Sequence, residues 1–327
     1  QEFEKNVLTG GPSGTYIKIG RDVSNVAASC GLNYTIRESA GSLENFLGVT
    51  KTPKKQFGIV QSDVLEYLKT FASDDPDIAR AIFGVRIAFP LYNEEIHVLA
   101  RKDIATLSDL NDKKVGVGAE NSGTFLTTSL VLDLAEVRPG ERLLLSATDS
   151  MQALQSGDID AFFYVAGAPT ALFQSDEIDA ERFHLLPLTS DTLRAVYVGT
   201  QIPGGTYPFQ TEPVDVVAVK AVMMTYDYEE RGNLYHQQSC QAVSDMVRLV
   251  VDNFDELKSS GHPKWRNVDL NAIPPGWDIA RCVNTGLEEN YELNCTRPAN
   301  AAASAEPTLE SEANSAYRRR ICAAIGC

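Results

Sequence analysis

The chain is short of positive charge. Its 327 residues carry 29 Lys and Arg against 44 Asp and Glu, a formal net charge of −15. A surface of that sign disfavours nucleic acid and anionic membranes as partners. Any bound anion must then be held by local dipoles against the overall field. Long apolar runs are missing as well: no stretch approaches the roughly eighteen apolar residues that a membrane span needs. The start, Gln1-Glu2-Phe3, lacks the pattern of a secretory signal, as expected of a mature terminus after cleavage or of a trimmed one. The four histidines (His97, His184, His236, His262) are scattered and no C-x-x-C occurs, so neither zinc nor any other cofactor is expected. The glycine-rich turn TGGPSGTYIKIG (residues 9–20) has Thr15 where a nucleotide-binding P-loop needs Lys after its last glycine.

What is present is an alternation of short apolar runs with helical spacings. FEKNVL ends as a strand, and Tyr16, Ile19, Val23, Ala27 and Cys30 then recur at helical intervals up to Gly31. NYTIRES, FGIVQS, GVRIAFPLY, EIHVLARK, RLLLS and DIDAFFYV read as strands. GSLENFLGV (from about Ser42), DVLEYLKTF, SGTFLTTSLVLDLAEV and DSMQALQSG read as helices, and SDLNDKKVGVG as a turn or short helix leading into a strand. Such alternation predicts an α/β fold with largely parallel, covered sheets. PVDVVAVKAV is a further β-branched run, and NLYHQQSCQAVSDMVRLVVDNFDELK one long helix.

The turn at 9–20 sits between a strand end and a helix start, where unpaired N–H groups and the helix dipole favour a small anion. The bland alternative is an ordinary βα turn with Ser13 as helix cap. Ser13-Gly14-Thr15-Tyr16 is echoed by Ser122-Gly123-Thr124-Phe125 after KVGVGAEN. Two such starts suit two similar lobes facing one cleft. Six cysteines, four of them after residue 280, predict disulfides and an oxidising compartment. Of fifteen possible full pairings, those within Cys240, Cys282, Cys295, Cys322 and Cys327 are favoured, leaving Cys30 as a buried free thiol. Residues 297–315 are small, polar and of low complexity, a linker or irregular wrap.

Several segments, in order, resemble the TAXI-type solute receptors of TRAP transporters: TGGPSGTYIKIG, ESAGSLENFLGV, FGIVQSDVLEYL, LYNEEIHVLARKDIATLSDLNDKKVGVGAENSGT, LQSGDIDAFFYVAGAPTA and IPGGTYPFQ. Asn93 replaces the proline of the family's LYPE. The resemblance spans about residues 6–225, and the tail beyond about 260 departs from it. It implies a two-lobed, type II-like periplasmic binding protein with hinge strands and an interdomain cleft. Such a protein is a monomer and not an enzyme, is secreted to the periplasm by a signal peptide absent from this chain, and binds a small anionic solute. That solute would be a glutamate-like or 2-oxoglutarate-like dicarboxylate, handed to a TRAP membrane subunit of the fused type. The alternative is a sensory module on the same fold that signals to a membrane kinase. The hinge is expected at residues 96–99 and 214–219, with residues 1–95 plus 215–327 forming one lobe and 96–214 the other.

Gly11, Ser13, Gly14, Thr15 and Tyr16 are the first candidate ligand contacts, the backbone and hydroxyls for a carboxylate and the Tyr16 ring for the carbon chain. Asn121, Ser122, Gly123 and Thr124 would supply donors from the other lobe, although Ser122 is equally a helix cap. Ser39, Gly41 and Ser42 form a turn in which Ser42 reads as a cap unless the turn faces the cleft. Gln61 stands at a strand's carboxyl end, where open α/β sheets bind ligands, and Asp63 after it reads as a helix cap. Gly167, Ala168 and Pro169 would permit close backbone approach, and Tyr207 would cover the closed cleft. Arg37, Arg86 and Arg194 are candidates for a second carboxylate, each more simply a surface residue. No G-x-S-x-G elbow occurs and no histidine falls in these blocks, which argues against catalysis.

Overall fold

The apolar runs and helical spacings fold into ten strands and ten α-helices, seen in a computed structural model that describes residues 3–71, 74–229, 232–293 and 295. The first part runs β1 (Asn6–Leu8), α1 (Thr15–Ser29), β2 (Thr35–Arg37), α2 (Ser42–Lys51), β3 (Phe57–Gln61), α3 (Ser62–Phe71), α4 (Pro76–Phe83) and the long β4 (Val85–Arg101). Next come β5 (Lys114–Gly116), α5 (Gly123–Leu134), β6 (Glu141–Leu143), α6 (Ala147–Ser156), β7 (Ala161–Ala166), β8 (Phe183–Leu185), α7 (Asp191–Arg194) and β9 (Val198–Ile202). β10 (Val214–Tyr226), α8 (Leu234–Asp252), α9 (Phe254–Ser260) and α10 (Arg281–Leu287) complete the described chain.

The strands are joined in the order β2-β1-β3-β10-β4-β7-β5-β6, with β8 on β4 and β9 on β10. β1 lies parallel to both β2 and β3, and β5 lies parallel to both β6 and β7. Between these parallel ends, β10 runs antiparallel to β3 and β4. Period-two alternation splits the first end into two apolar faces. Val7, Ile59 and Met223 meet residues of α1 and α8 on one face; Leu8, Val60 and Met224 meet α2, α3 and α4 on the other. A separate core is drawn wholly from residues 96–219. Along β4 the core changes between Tyr92 and Ile96, and along β10 between Val219 and Ala221. These two strands therefore run from one lobe into the other, the two-lobed α/β arrangement of a type II-like periplasmic binding protein.

Three expectations from the sequence are corrected. GVRIAFPLY and EIHVLARK are one strand: polar Asn93 and Glu94, which look like a break, pair in register with Lys220 and Val219 of β10. The long helix after residue 233 divides at Asn253, whose side-chain amide donates to the Leu249 carbonyl at 2.8 Å and ends α8. Cys30 is no free thiol. It caps the end of α1 and is bonded to Cys295, while Cys240 is bonded to Cys282 as the favoured group allows. Cys322, Cys327 and the segment 297–315 lie outside the described residues.

Candidate functional site

Parallel strands point their carboxyl ends, and so the starts of the helices that follow them, to one side of the sheet. Here four helix starts, two from each lobe, converge on a cavity of about 640 Å³. Its wall is made by residues 10–16 ahead of and into α1, residues 38–42 and Glu44 at α2, and Gln61 at the end of β3. Glu94 in β4, Gly118, Ala119 and residues 122–124 at α5, residues 146–148 at α6 and residues 163–166 of β7 close it.

The four starts are not equivalent. At α5 the Ser122 hydroxyl accepts from the Phe125 N–H at 3.0 Å, and at α6 the Ser146 hydroxyl accepts from the Asp149 N–H at 3.1 Å. At α1 the cap is Gly14, and at α2 it is Gly41; neither start has a side-chain cap bond. Ser13 is thus not the expected cap, and Ser42 lies inside the helix. Its hydroxyl accepts from the Gln61 N–H at 3.0 Å and lies 3.3 Å from Gln61 Oε1. Ser39 holds the intervening turn, its hydroxyl 2.6 Å from Asn45 Oδ1 and accepting from the Gly41 N–H at 3.1 Å. The first lobe therefore brings two helix starts to the cavity with their early amides unclaimed by caps. These are anion-favouring positions.

The lobes touch across the cavity. Thr15 Oγ1 donates to the Gly167 carbonyl at 3.0 Å. Within the first lobe, the Tyr16 hydroxyl donates to Glu94 Oε2 on β4 at 2.7 Å. Asp63 is more than a helix cap: its Oδ2 accepts from Thr127 Oγ1 at 2.7 Å and from the Tyr197 hydroxyl at 3.1 Å, both in the second lobe. Burial pushes its pKa up to about 6. Two glycines also face each other: a Cβ on Gly41, whose φ is +125°, would stand 3.4 Å from the Gly123 nitrogen. A Cβ on Gly123 would overlap Gln61 Oε1. The two lobes thus meet at several points around the cavity.

The cavity's charges are all acidic. Glu38, Glu44 and Glu94 line it, and no Lys, Arg or His does among the described residues. Glu94 is only 2% exposed, and burial drives its pKa well above the usual carboxylate range; nearby Asp63 and Glu95 add to this, while the Tyr16 bond and Lys264 oppose it. Lys264, behind the hinge, is committed to Glu95 at 2.5 Å and to the Asn93 carbonyl at 3.0 Å. Gln61, also 2% exposed, has a buried Nε2 with no partner among the described residues.

Of the residues expected from sequence, Gly11, Ser13, Gly14, Thr15, Tyr16, Ser39, Ser42, Gln61, Ser122, Gly123 and Thr124 line the cavity. Asn121, Gly167, Ala168, Pro169 and Tyr207 do not. Asn121 is buried in the turn before α5 with a positive φ of 63°. Gly167 accepts from Thr15, the Ala168 N–H donates to Glu95 Oε2 at 2.7 Å, and Pro169 follows a cis peptide. Tyr207 is buried in the second core, where its hydroxyl meets His97 Nε2 at 2.8 Å, so it is not a cleft cover. The arginines do not reach the cavity either. Arg37 donates to Asn6 Oδ1 at 2.9 Å, Arg86 pairs with Asp227 at 2.7 Å, and Arg194 is exposed on α7.

The sequence model of the NMT1-like family matches residues 7–275. The chain belongs to the NMT1-like family. Among solved structures, the periplasmic binding protein BugD is similar at 8% identity, with 75% of this chain and 82% of that one covered and a TM-score of 0.47. MatC from Rhodopseudomonas palustris, solved with bound malate, is similar at 14% identity, with 75% and 84% covered and a TM-score of 0.47. The GluR0 ligand-binding core from Nostoc punctiforme, in complex with L-glutamate, is similar at 14% identity, with 79% and 98% covered and a TM-score of 0.43.

Sequence reasoning about this NMT1-like chain missed Glu94, Ser146, Thr148 and Tyr164. Glu94 was hidden in an apparent strand break, and Tyr164 in a run that reads as core. Ser146 had a usable signal, a Ser three residues before Asp149 at a helix start.

Proposed function

We propose that the protein is an extracytoplasmic solute receptor of the TAXI type. It binds a small carboxylate between its lobes and delivers it, as a monomer, to a TRAP membrane subunit in the envelope. One observation carries this reading: the uncapped starts of α1 and α2 face the serine-capped starts of α5 and α6 across a single cavity. Unclaimed amides at two helix starts favour a carboxylate without any basic side chain. The closed contacts of Thr15 with Gly167 and of Asp63 with Thr127 and Tyr197 would be selected by a ligand that touches both lobes, since only differential affinity shifts such a population. Residues 1–95 with 215–327 would move against 96–214. Two disulfides fit a periplasmic location, and among the described residues no helix is long and apolar enough to cross a membrane. Binding without turnover is the reading favoured here, as among the described residues no histidine stands at the cavity to activate a nucleophile.

A thermal-shift screen tests this. The panel holds glutamate, glutamine, 2-oxoglutarate, succinate, neutral amino acids, sugars and ATP. A ligand at a hundredfold its Kd stabilises by about 2.7 kcal/mol, several degrees in Tm. A shift with carboxylates and none with sugars or ATP is the expected outcome; a flat response to every carboxylate removes the reading. Co-purification with a TRAP membrane subunit, against a membrane kinase, separates delivery from sensing.

A further inference from the structure

From the cavity's acid–base inventory we infer that the solute carries an amine beside its carboxylate, and that Glu94 is the residue that selects for it. This rests on the carboxylate-receptor reading and narrows it, favouring an amino acid over a 2-oxo acid or a plain dicarboxylate.

The inference starts from what the wall offers. A carboxylate has donors waiting in the first lobe, the uncapped starts of α1 and α2 and the unpartnered Nε2 of Gln61. A second carboxylate would find no cationic side chain on the wall and three acids instead. Of those acids, Glu44 already uses Oε2 to accept from the Ala40 N–H of its own turn at 2.7 Å. Glu94 differs in position and partner. It sits on the hinge strand β4, opposite Val219 of β10, where both lobes meet the cavity. It accepts from the Tyr16 hydroxyl, so the phenol's proton is spent on it and the carboxyl is oriented as an acceptor. An acceptor buried in this way is matched by a further donor, above all a cationic one, and mismatched by the ketone of a 2-oxo acid.

The same residue links the two subsites. Tyr16 is the second residue of α1, whose start faces the carboxylate, and its ring end reaches Glu94. A group that is α to the carboxylate would therefore lie toward Glu94. The charged groups around Glu94 are Asp63, Glu95 and Lys264, and Lys264 is tied to Glu95. The site is thus short of positive charge until a ligand brings it. Burial, with Asp63 and Glu95 adding to it, raises the Glu94 pKa, and an ammonium placed against the carboxyl would act in the opposite sense.

The test is paired calorimetry. L-glutamate, L-glutamine, L-leucine and L-alanine are each compared with the deaminated and the 2-oxo acid of the same skeleton, on the wild type and on Glu94→Gln, which keeps shape and an acceptor for Tyr16. The expected result is at least one amino acid binding roughly tenfold or more tighter than both counterparts, as hydrogen bonds to charged groups allow. Glu94→Gln should erase that preference. If deaminated or 2-oxo acids bind as tightly as the amino acids, the inference fails and the receptor reading stands. If no carboxylate binds at all, both fail. Should Glu94→Gln not fold, the wild-type ratios decide alone.

Discussion

His97 is wholly buried beneath the hinge, and its neighbours fix its tautomer. Nδ1 faces two carbonyls, Glu95 at 3.0 Å and Tyr164 at 3.2 Å, so it carries the proton; Nε2 then accepts from the Tyr207 hydroxyl at 2.8 Å. That hydroxyl in turn accepts from the Thr170 N–H at 3.2 Å. Burial lowers the ring's pKa to about 4, with Glu95 opposing. In the unfolded chain the ring titrates near 6.5, so its neutral form contributes fully above that pH. The contribution is lost as pH falls toward 4, by about 1.4 kcal/mol per unit and roughly 3 kcal/mol over the window. Asp63, raised to about 6, works in the opposite sense, gaining stability as pH falls through the same range. Urea denaturation of the wild type and His97→Gln between pH 7 and pH 4 isolates the histidine: the variant should lose less stability on acidification. Parallel curves would mean that His97 is not held neutral.

The approach of α5 to β3 depends on one missing methyl group. A Cβ on Gly123 would overlap Gln61 Oε1 and stand 2.7 Å from Ser42 Oγ. Gly123→Ala improves helix propensity and should leave the Tm of the unliganded protein unchanged or higher. Solute affinity should fall about tenfold or more, because Gln61 must swing away before the lobes can meet. Unchanged affinity would show that the bound state is more open than the contacts described here. This contact was half legible in the sequence. The repeated Ser-Gly-Thr-aromatic motif located both helix starts, since strand-to-helix spacing and turn residues are local signals. The opposition of Gly123 to Gln61 was not legible, because they are far apart in the chain and meet only through lobe packing. Glu94 was lost for a related reason. Local pattern treats Asn93 and Glu94 as a strand break, whereas pairing with β10 makes them strand interior. Tyr207 was placed by a short loop motif and the arginines by residue type, and neither says which way a side chain faces.

At the scale of the molecule, the carboxyl-terminal part is fastened to the first lobe by Cys30–Cys295 and within itself by Cys240–Cys282, which closes a loop of sequence separation 42. In the chain-entropy account a loop of that length contributes about 4 kcal/mol. Replacing both Cys240 and Cys282 by Ser should lower unfolding stability by about that amount in urea, while solute affinity stays as it is, since neither residue lines the cavity. A loss of affinity without a loss of stability would reverse that assignment. The topology also dictates an order of assembly. β1, β2 and β3 are complete by residue 61, but β3's next neighbour is β10, which begins at residue 214. As the chain emerges amino end first, the core drawn from 96–219 arrives as one continuous stretch and can close while β3 still presents an unpaired edge. The lobe that emerges first is therefore the lobe that is finished last, and its bare edge is where a chaperone has the most to shield.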